Sequence, residues 1–221
     1  MAPPTPAEVD DYIAGKLLGD DPAIRSARAE NAAAGLPAID VSDTQGKFLQ
    51  LLAAAVGARR ILEVGTLGGV STIFLARALP AAGALVTLEI DPRHAAVARR
   101  NLDNAGVGDR VDIRVGAAAD VLAAMRLAGE APFDLVFVDA DKQGNVAYVE
   151  AAIALGRRGT VIVVDNVVRE GAVVDTDDAD PKVAGTRALY DYVAREPRLD
   201  ATAIQTQGAK HWDGFLMAVV R

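Results

Sequence analysis

The chain has 221 residues, 51% hydrophobic and 24% charged, enough to bury one sizeable core, so a single domain over 1–221 is expected. A formal net charge of -7 argues against a nucleic-acid partner, whose binding is driven by clustered Lys and Arg that displace counterions. With no cysteine there is no disulfide framework, thiol nucleophile or thiolate metal site, and any metal must sit on oxygen or imidazole.

The opening Met1-Ala2-Pro3-Pro4-Thr5-Pro6 lacks the basic region and apolar stretch of a signal peptide. No apolar run approaches the roughly 18 residues of a membrane span, so a cytoplasmic protein with no membrane partner is expected. From Ala7 to about Gly57 apolar residues recur at helical spacing with breaks at Asp21-Pro22 and Gly35-Leu36-Pro37, which predicts three N-terminal helices over 1–57. Over 58–221 short apolar runs alternate with helical patterns. Strands are predicted at Arg60–Val64, Leu85–Ile90, Val111–Val115, Leu135–Val138 and Thr160–Val164, with helices near 70–79, 92–105, 118–128 and 143–155. This alternation gives an α/β, doubly wound parallel sheet. After a helix near 181–195, Asp200–Thr206 and Gly214–Val220 flank the polar stretch 207–213 and predict a closing antiparallel hairpin. Arg169–Pro181, with four aspartates among small residues, is read as a mobile loop.

Ile61-Leu62-Glu63-Val64-Gly65-Thr66-Leu67-Gly68-Gly69-Val70-Ser71 takes an apolar strand through an acid into a glycine turn. Between a strand and a helix, such a turn brings bare backbone and helix N-terminal N–H groups up to a bound nucleotide. The positions of Gly65, Gly68 and Gly69 depart from the G-x-G-x-x-G of a dinucleotide site, which disfavours a nicotinamide-dependent oxidoreductase on the same sheet. Glycine turns also occur without ligands, so the neighbours decide. Glu89 ends the second predicted strand, where an acid accepts hydrogen bonds from ribose hydroxyls. Asp91-Pro92 reads as the cap and first turn of the next helix. Glu63, finishing an apolar strand, costs free energy unless it has a cationic or hydrogen-bonding partner, for which a ligand ammonium group or a buried arginine would serve.

Asp139 ends the fourth predicted strand, and Asp165 with Asn166 ends the fifth. Adjacent parallel strands place these three oxygen donors on the edge where open α/β sheets bind ligands. Hard oxygen donors suit Mg²⁺, Mn²⁺ or Ca²⁺ rather than zinc, whereas a lone strand-end aspartate is more often a helix cap. Lys142 follows Asp139 by three residues. Near a cation in a partly dry pocket its amine can take a proton, and otherwise it is an ordinary exposed lysine. His94 and His211 lack metal-ligand spacing and are read as surface or packing residues, and Trp212 as a pocket wall or a core plug.

Taken together, Glu63-Val64-Gly65-Thr66 with Ser71, Glu89-Ile90-Asp91, Val115-Gly116-Ala117-Ala118, Asp139-Ala140-Asp141-Lys142, Val164-Asp165-Asn166-Val167 and Trp212-Asp213-Gly214-Phe215 resemble the cation-dependent class I O-methyltransferases. That family includes the caffeoyl-CoA and catechol O-methyltransferases, and the likeness is strongest to its bacterial members over roughly 40–221. The resemblance implies a seven-stranded sheet, mostly parallel with the last strand antiparallel, with S-adenosylmethionine as cofactor. It puts Val41, Glu63, Gly65, Thr66 and Ser71 among the cofactor-binding residues, Glu89 on the ribose, Ala118 by the adenine and Asp141 on the methionine ammonium. By the same resemblance Asp139, Asp165 and Asn166 hold the divalent cation, Asp139 also lies in the catalytic and cofactor set, and Lys142 is the base. The resemblance further implies a homodimer. Arg169–Pro181 matches the loop that shapes acceptor choice, and no secure counterpart exists for the second acid that steadies catecholate.

The expected activity is methylation of one hydroxyl of a vicinal aromatic diol, of catechol, caffeoyl or flavonoid type. The alternatives are the nicotinamide-dependent oxidoreductase and a noncatalytic binding protein that keeps the fold.

Overall fold

The computed structural model describes residues 3–221; Met1 and Ala2, the start of the segment read for a signal peptide, lie outside the described residues. Three helices come first, as the breaks predicted: α1 (Pro6–Leu17), α2 (Pro22–Ala33) and α3 (Asp43–Ala55). Each begins where a side-chain oxygen satisfies an orphan backbone N–H. Thr5 accepts from Glu8 N at 3.3 Å while Glu8 reaches back to Thr5 N, Asp21 accepts from Ala23 N and Ile24 N, and Ser42 accepts from Gln45 N.

The sheet follows: β1 (Arg60–Val64), α4 (Val70–Arg77), β2 (Ala84–Glu89), α5 (Pro92–Asn104), β3 (Val111–Val115), α6 (Ala118–Leu127), β4 (Leu135–Val138), α7 (Asn145–Ala154), β5 (Val161–Asp165), α8 (Pro181–Arg195), β6 (Leu199–Gly208) and β7 (His211–Val220). Strand order is β3-β2-β1-β4-β5-β7-β6, and β7 runs antiparallel to both of its neighbours. Because successive side chains point to opposite faces, each strand feeds two cores. Leu62, Val136 and Ile162 pack with Met125, Val149 and Leu189 of the helices on one face. Ile61, Phe137 and Val163 pack with Leu49 and Ile73 on the other. Burial on both faces explains why these strands read as near-continuous apolar runs.

Three local expectations change. The predicted loop at 207–213 is instead mostly strand: β6 and β7 extend until only Ala209 and Lys210 separate them, with Gln207 paired to Trp212 and Gly208 to His211. This outer ribbon is largely exposed, so its polar residues carry no apolar alternation to reveal the pairing. The helix read from 143 begins instead as a short 3-10 turn, Lys142–Gly144, before α7. Arg169–Val174 forms a 3-10 segment broken by left-handed Glu170 and Gly171, and the Arg187 guanidinium bonds the carbonyls of Asp175 and Asp178 in the stretch that follows. No helix among the described residues is long and apolar enough to cross a membrane.

Candidate active site

The strand order reverses between β1 and β4, and open α/β sheets bind ligands at such a switch point beyond the carboxyl ends of the strands. Val64 pairs with Val138 and Val138 with Val164, so Gly65, Asp139 and Asp165 follow in step along one edge. Gly65 has φ 101°, and a Cβ there would lie 2.5 Å from the Asp139 carbonyl oxygen. Only glycine lets the two strand ends approach this closely. Beneath Gly68 lies the amide of Asn31 from α2; Asn101 Nδ2 donates to Asn31 Oδ1 at 2.9 Å and to the Gly68 carbonyl at 2.8 Å. An N-terminal helix thus forms part of the turn's support, which the sequence did not reveal.

Glu63 has neither an arginine nor a free face for an ammonium group. Its carboxyl is fully buried and accepts from Ser71 Oγ at 2.6 Å, Thr72 Oγ1 at 2.5 Å and Thr87 Oγ1 at 2.7 Å. Burial pushes its pKa up to about 7 against the pull of these hydroxyls, and the charge of Asp139 adds to the push. Glu63 and Ser71 therefore brace the turn from below. Glu89 binds the turn from the side, accepting at one oxygen from Leu67 N (2.8 Å) and Thr66 N (3.3 Å) and at the other from Asp91 N (2.9 Å). A carboxylate has about four acceptor positions, so Glu89 can still take a ribose hydroxyl. Asp91 caps α5 through Arg93 N at 2.8 Å, as expected, and His94 stands 3.6 Å from Glu89. Gly116 N donates to the Glu89 carbonyl, which brings the start of α6 at Ala118 beside the same strand end.

Asp139, Asp165 and Asn166 line one cavity of about 410 Å³. Val41 and Phe48 from around α3 and Phe215 from β7 give it apolar walls, with Phe48 and Phe215 ring centroids 5.0 Å apart. Lys142 is buried and its Nζ donates to Asp139 Oδ1 at 2.9 Å, so it is not the exposed lysine of the ordinary reading. Asp165 accepts from Gln45 Nε2 at 2.7 Å and from Asn166 N at 2.8 Å. Burial, then the charge of Asp139, pushes its carboxyl well above the usual range, with Lys142 pulling the other way. Asn166 sits in the left-handed region at φ 57°, a conformation Asn tolerates better than most residues.

Asp141 caps the 3-10 turn, with one oxygen accepting from Gly144 N at 3.0 Å and the other from Tyr148 Oη at 2.5 Å, which leaves each oxygen a further acceptor position. Trp212 neither lines the cavity nor plugs the core: it is 42% exposed, bonds Gln205 through its indole N–H and lies over Gly171. His211, read as surface or packing, is a cavity wall, and so are Gln45, Asp10 and Lys210, which carry no sequence signal.

Among the described residues no three His, Cys, Asp or Glu side chains gather as a metal site, so any cation here needs an amide as its third donor. Lys142 bonds one of the two carboxylates, Asp139, and the other, Asp165, is left with neutral donors in a buried position. With the Asn166 carbonyl, this set fits a hard divalent cation.

The chain matches the family model described as O-methyltransferase over residues 18–214. It is 58% identical over 219 residues to a protein of Mycobacterium tuberculosis named catechol O-methyltransferase, covering 99% of this chain and 97% of that one. A Niastella koreensis protein of the same name is 48% identical, with 96% of each chain covered. The crystal structure of an O-methyltransferase from Bacillus cereus in complex with SAH superposes with a TM-score of 0.96 at 53% identity, covering 98% of both chains. The chain belongs to the O-methyltransferase family, and its seven-stranded sheet is that of the class I methyltransferases.

Proposed function

We propose that the chain transfers the methyl group of S-adenosylmethionine to one hydroxyl of a vicinal aromatic diol, with Asp139, Asp165 and Asn166 holding a divalent cation. The observation that carries this reading is the pair Asp139 and Asp165 on adjacent strand ends, lining one cavity next to the glycine turn with Lys142 bonded to Asp139 only. The SAH in the Bacillus cereus structure and the names of the two catechol enzymes support the donor and the acceptor class.

A bound divalent cation supplies a Lewis acid that lowers the pKa of a chelated hydroxyl. Lys142 donates to Asp139 as an ammonium, and once that proton has been given up its amine would be placed to accept the acceptor proton. The Gly65 turn, braced by Glu63 and Glu89, orients the donor, while Phe48 and Phe215 grip the aromatic ring and exclude water. The oxyanion then takes the methyl in line with the methyl–sulfur bond and leaves the neutral thioether S-adenosylhomocysteine. A single domain over 1–221, a cytoplasmic location and a homodimer belong to the same reading, and the apolar residues that α1 leaves exposed are consistent with a second copy.

Two measurements test it. With S-adenosylmethionine and Mg²⁺, catechol should gain one methyl and phenol, which lacks the second oxygen, none; equal methylation of both would overturn the chelation. Calorimetry should register S-adenosylhomocysteine and not NAD, and the reverse would restore the oxidoreductase.

A further inference from the structure

We propose that Lys210 selects acceptors that carry a carboxylate, so that the preferred substrates are vicinal diols of aromatic acids; this rests on the methyl-transfer reading above. Lys210 occupies the two-residue turn between β6 and β7 and lines the same cavity as Asp139, Asp165 and Asn166. The residue is exposed overall but lines the cavity, where burial and the charge of Arg28 lower the pKa of its ammonium while Asp40, Asp139 and Asp165 raise it. Among the described residues Lys210 enters no ion pair and no side-chain hydrogen bond.

The other charges at this mouth are engaged. Asp10 of α1 accepts from Ala209 N at 2.9 Å and Thr44 Oγ1 at 3.3 Å. Asp40 accepts from Asn31 Nδ2 at 3.0 Å with the Arg28 guanidinium 4.0 Å away. Asp213 accepts from the backbone N–H groups of Val168 and Arg169. Lys142 is bonded to Asp139. An acceptor with both hydroxyls at the floor has the far side of its ring turned to the mouth, between Phe48 and Phe215. The charge waiting there without a partner is positive. A carboxylate in that position gains a charge-assisted hydrogen bond in a partly desolvated setting, whereas an ammonium group meets Lys210 as a like charge.

The test compares kcat/KM for unsubstituted catechol, for protocatechuate, which adds a carboxylate, and for dopamine, which adds an amine, in wild type, Lys210→Gln and Lys210→Glu. Wild type should prefer protocatechuate to dopamine. Lys210→Gln should lower the protocatechuate-to-catechol ratio about tenfold, mainly through KM, the size of one charged hydrogen bond, and Lys210→Glu should turn the preference toward dopamine. Ratios equal in all three proteins, or a wild-type preference for dopamine, would overturn the role of Lys210 while leaving methyl transfer standing. Failure of wild type to methylate catechol itself would overturn the underlying reading and the selectivity with it.

Discussion

Two halves of the switch-point edge use buried carboxyls in opposite ways. Around the glycine turn, Glu63 is enclosed by three hydroxyls and Glu89 accepts from three backbone N–H groups, so each acid is held by neutral donors from the fold. Beyond β4 and β5, Asp139 and Asp165 line one cavity, with Lys142 bonded to Asp139 and Lys210 at the mouth. Glu63 and Asp165 are both pushed upward in pKa by burial, so titration alone does not tell a brace from a ligand. Access does: Glu63 is sealed under the turn, whereas Asp165 borders open cavity. One half is braced as folded, and the other carries the charge to which we assign a cation.

Removing Asp165 should break this contrast most severely. Asp165→Ala should lower Mg²⁺-dependent turnover of catechol by about a thousandfold, the scale of lost Lewis-acid stabilisation, with affinity for S-adenosylhomocysteine nearly unchanged. Calorimetry beside steady-state kinetics reads both, and a parallel loss of cofactor affinity would mean that the two halves are not separate. Lys142→Met should cost about a hundredfold in kcat, the usual scale for a lost general base, and the deficit should narrow at high pH, where the acceptor ionises unaided. A pH–rate profile parallel to wild type would remove Lys142 from the proton step.

On the braced side the readout is stability. Gly65→Ala sets a Cβ 2.5 Å from the Asp139 carbonyl oxygen at a φ of 101°, and should destabilise the fold by about 3 kcal/mol in urea titration. A change within error would show that the strand ends separate easily. Glu63→Gln should give a smaller effect that depends on pH. The folded carboxyl has a pKa of about 7 against an unfolded value near 4.5, so the native state keeps a proton that the unfolded chain gives up. The stability contributed by Glu63 is therefore full below about 4.5 and lost as pH rises through about 7, and the wild-type advantage over the variant should shrink across that window. A constant difference from pH 4 to 8 would mean that Glu63 is ionised in the fold.

The braced half was legible where the chain's pattern is local. Strand ends at Val64 and Val138 follow from apolar runs that stop at a glycine or an acid, that of β2 reads one residue late at Ile90, and Asp139 and Asp165 follow from the adjacency of parallel strands. Partners supplied from a distance left no trace. Thr72 and Thr87 hold Glu63 through ordinary hydroxyls with no spacing to betray them, and Gln45 meets Asp165 from a helix 120 residues away in sequence. Asp141 has partners that the resemblance did not foretell: the 3-10 turn and a tyrosine hydroxyl just downstream each donate to one of its oxygens. The mouth was the least legible part, because the β6–β7 ribbon lies outside the core and its polar residues imitate a loop.

The most direct test of the difference between the halves measures two things on one preparation as Mg²⁺ is withdrawn by chelator and then restored: binding of S-adenosylhomocysteine and methylation of catechol. Cofactor binding should persist throughout, while methylation falls to background and returns with the cation. Methylation that continues at full rate in excess chelator would contradict the account.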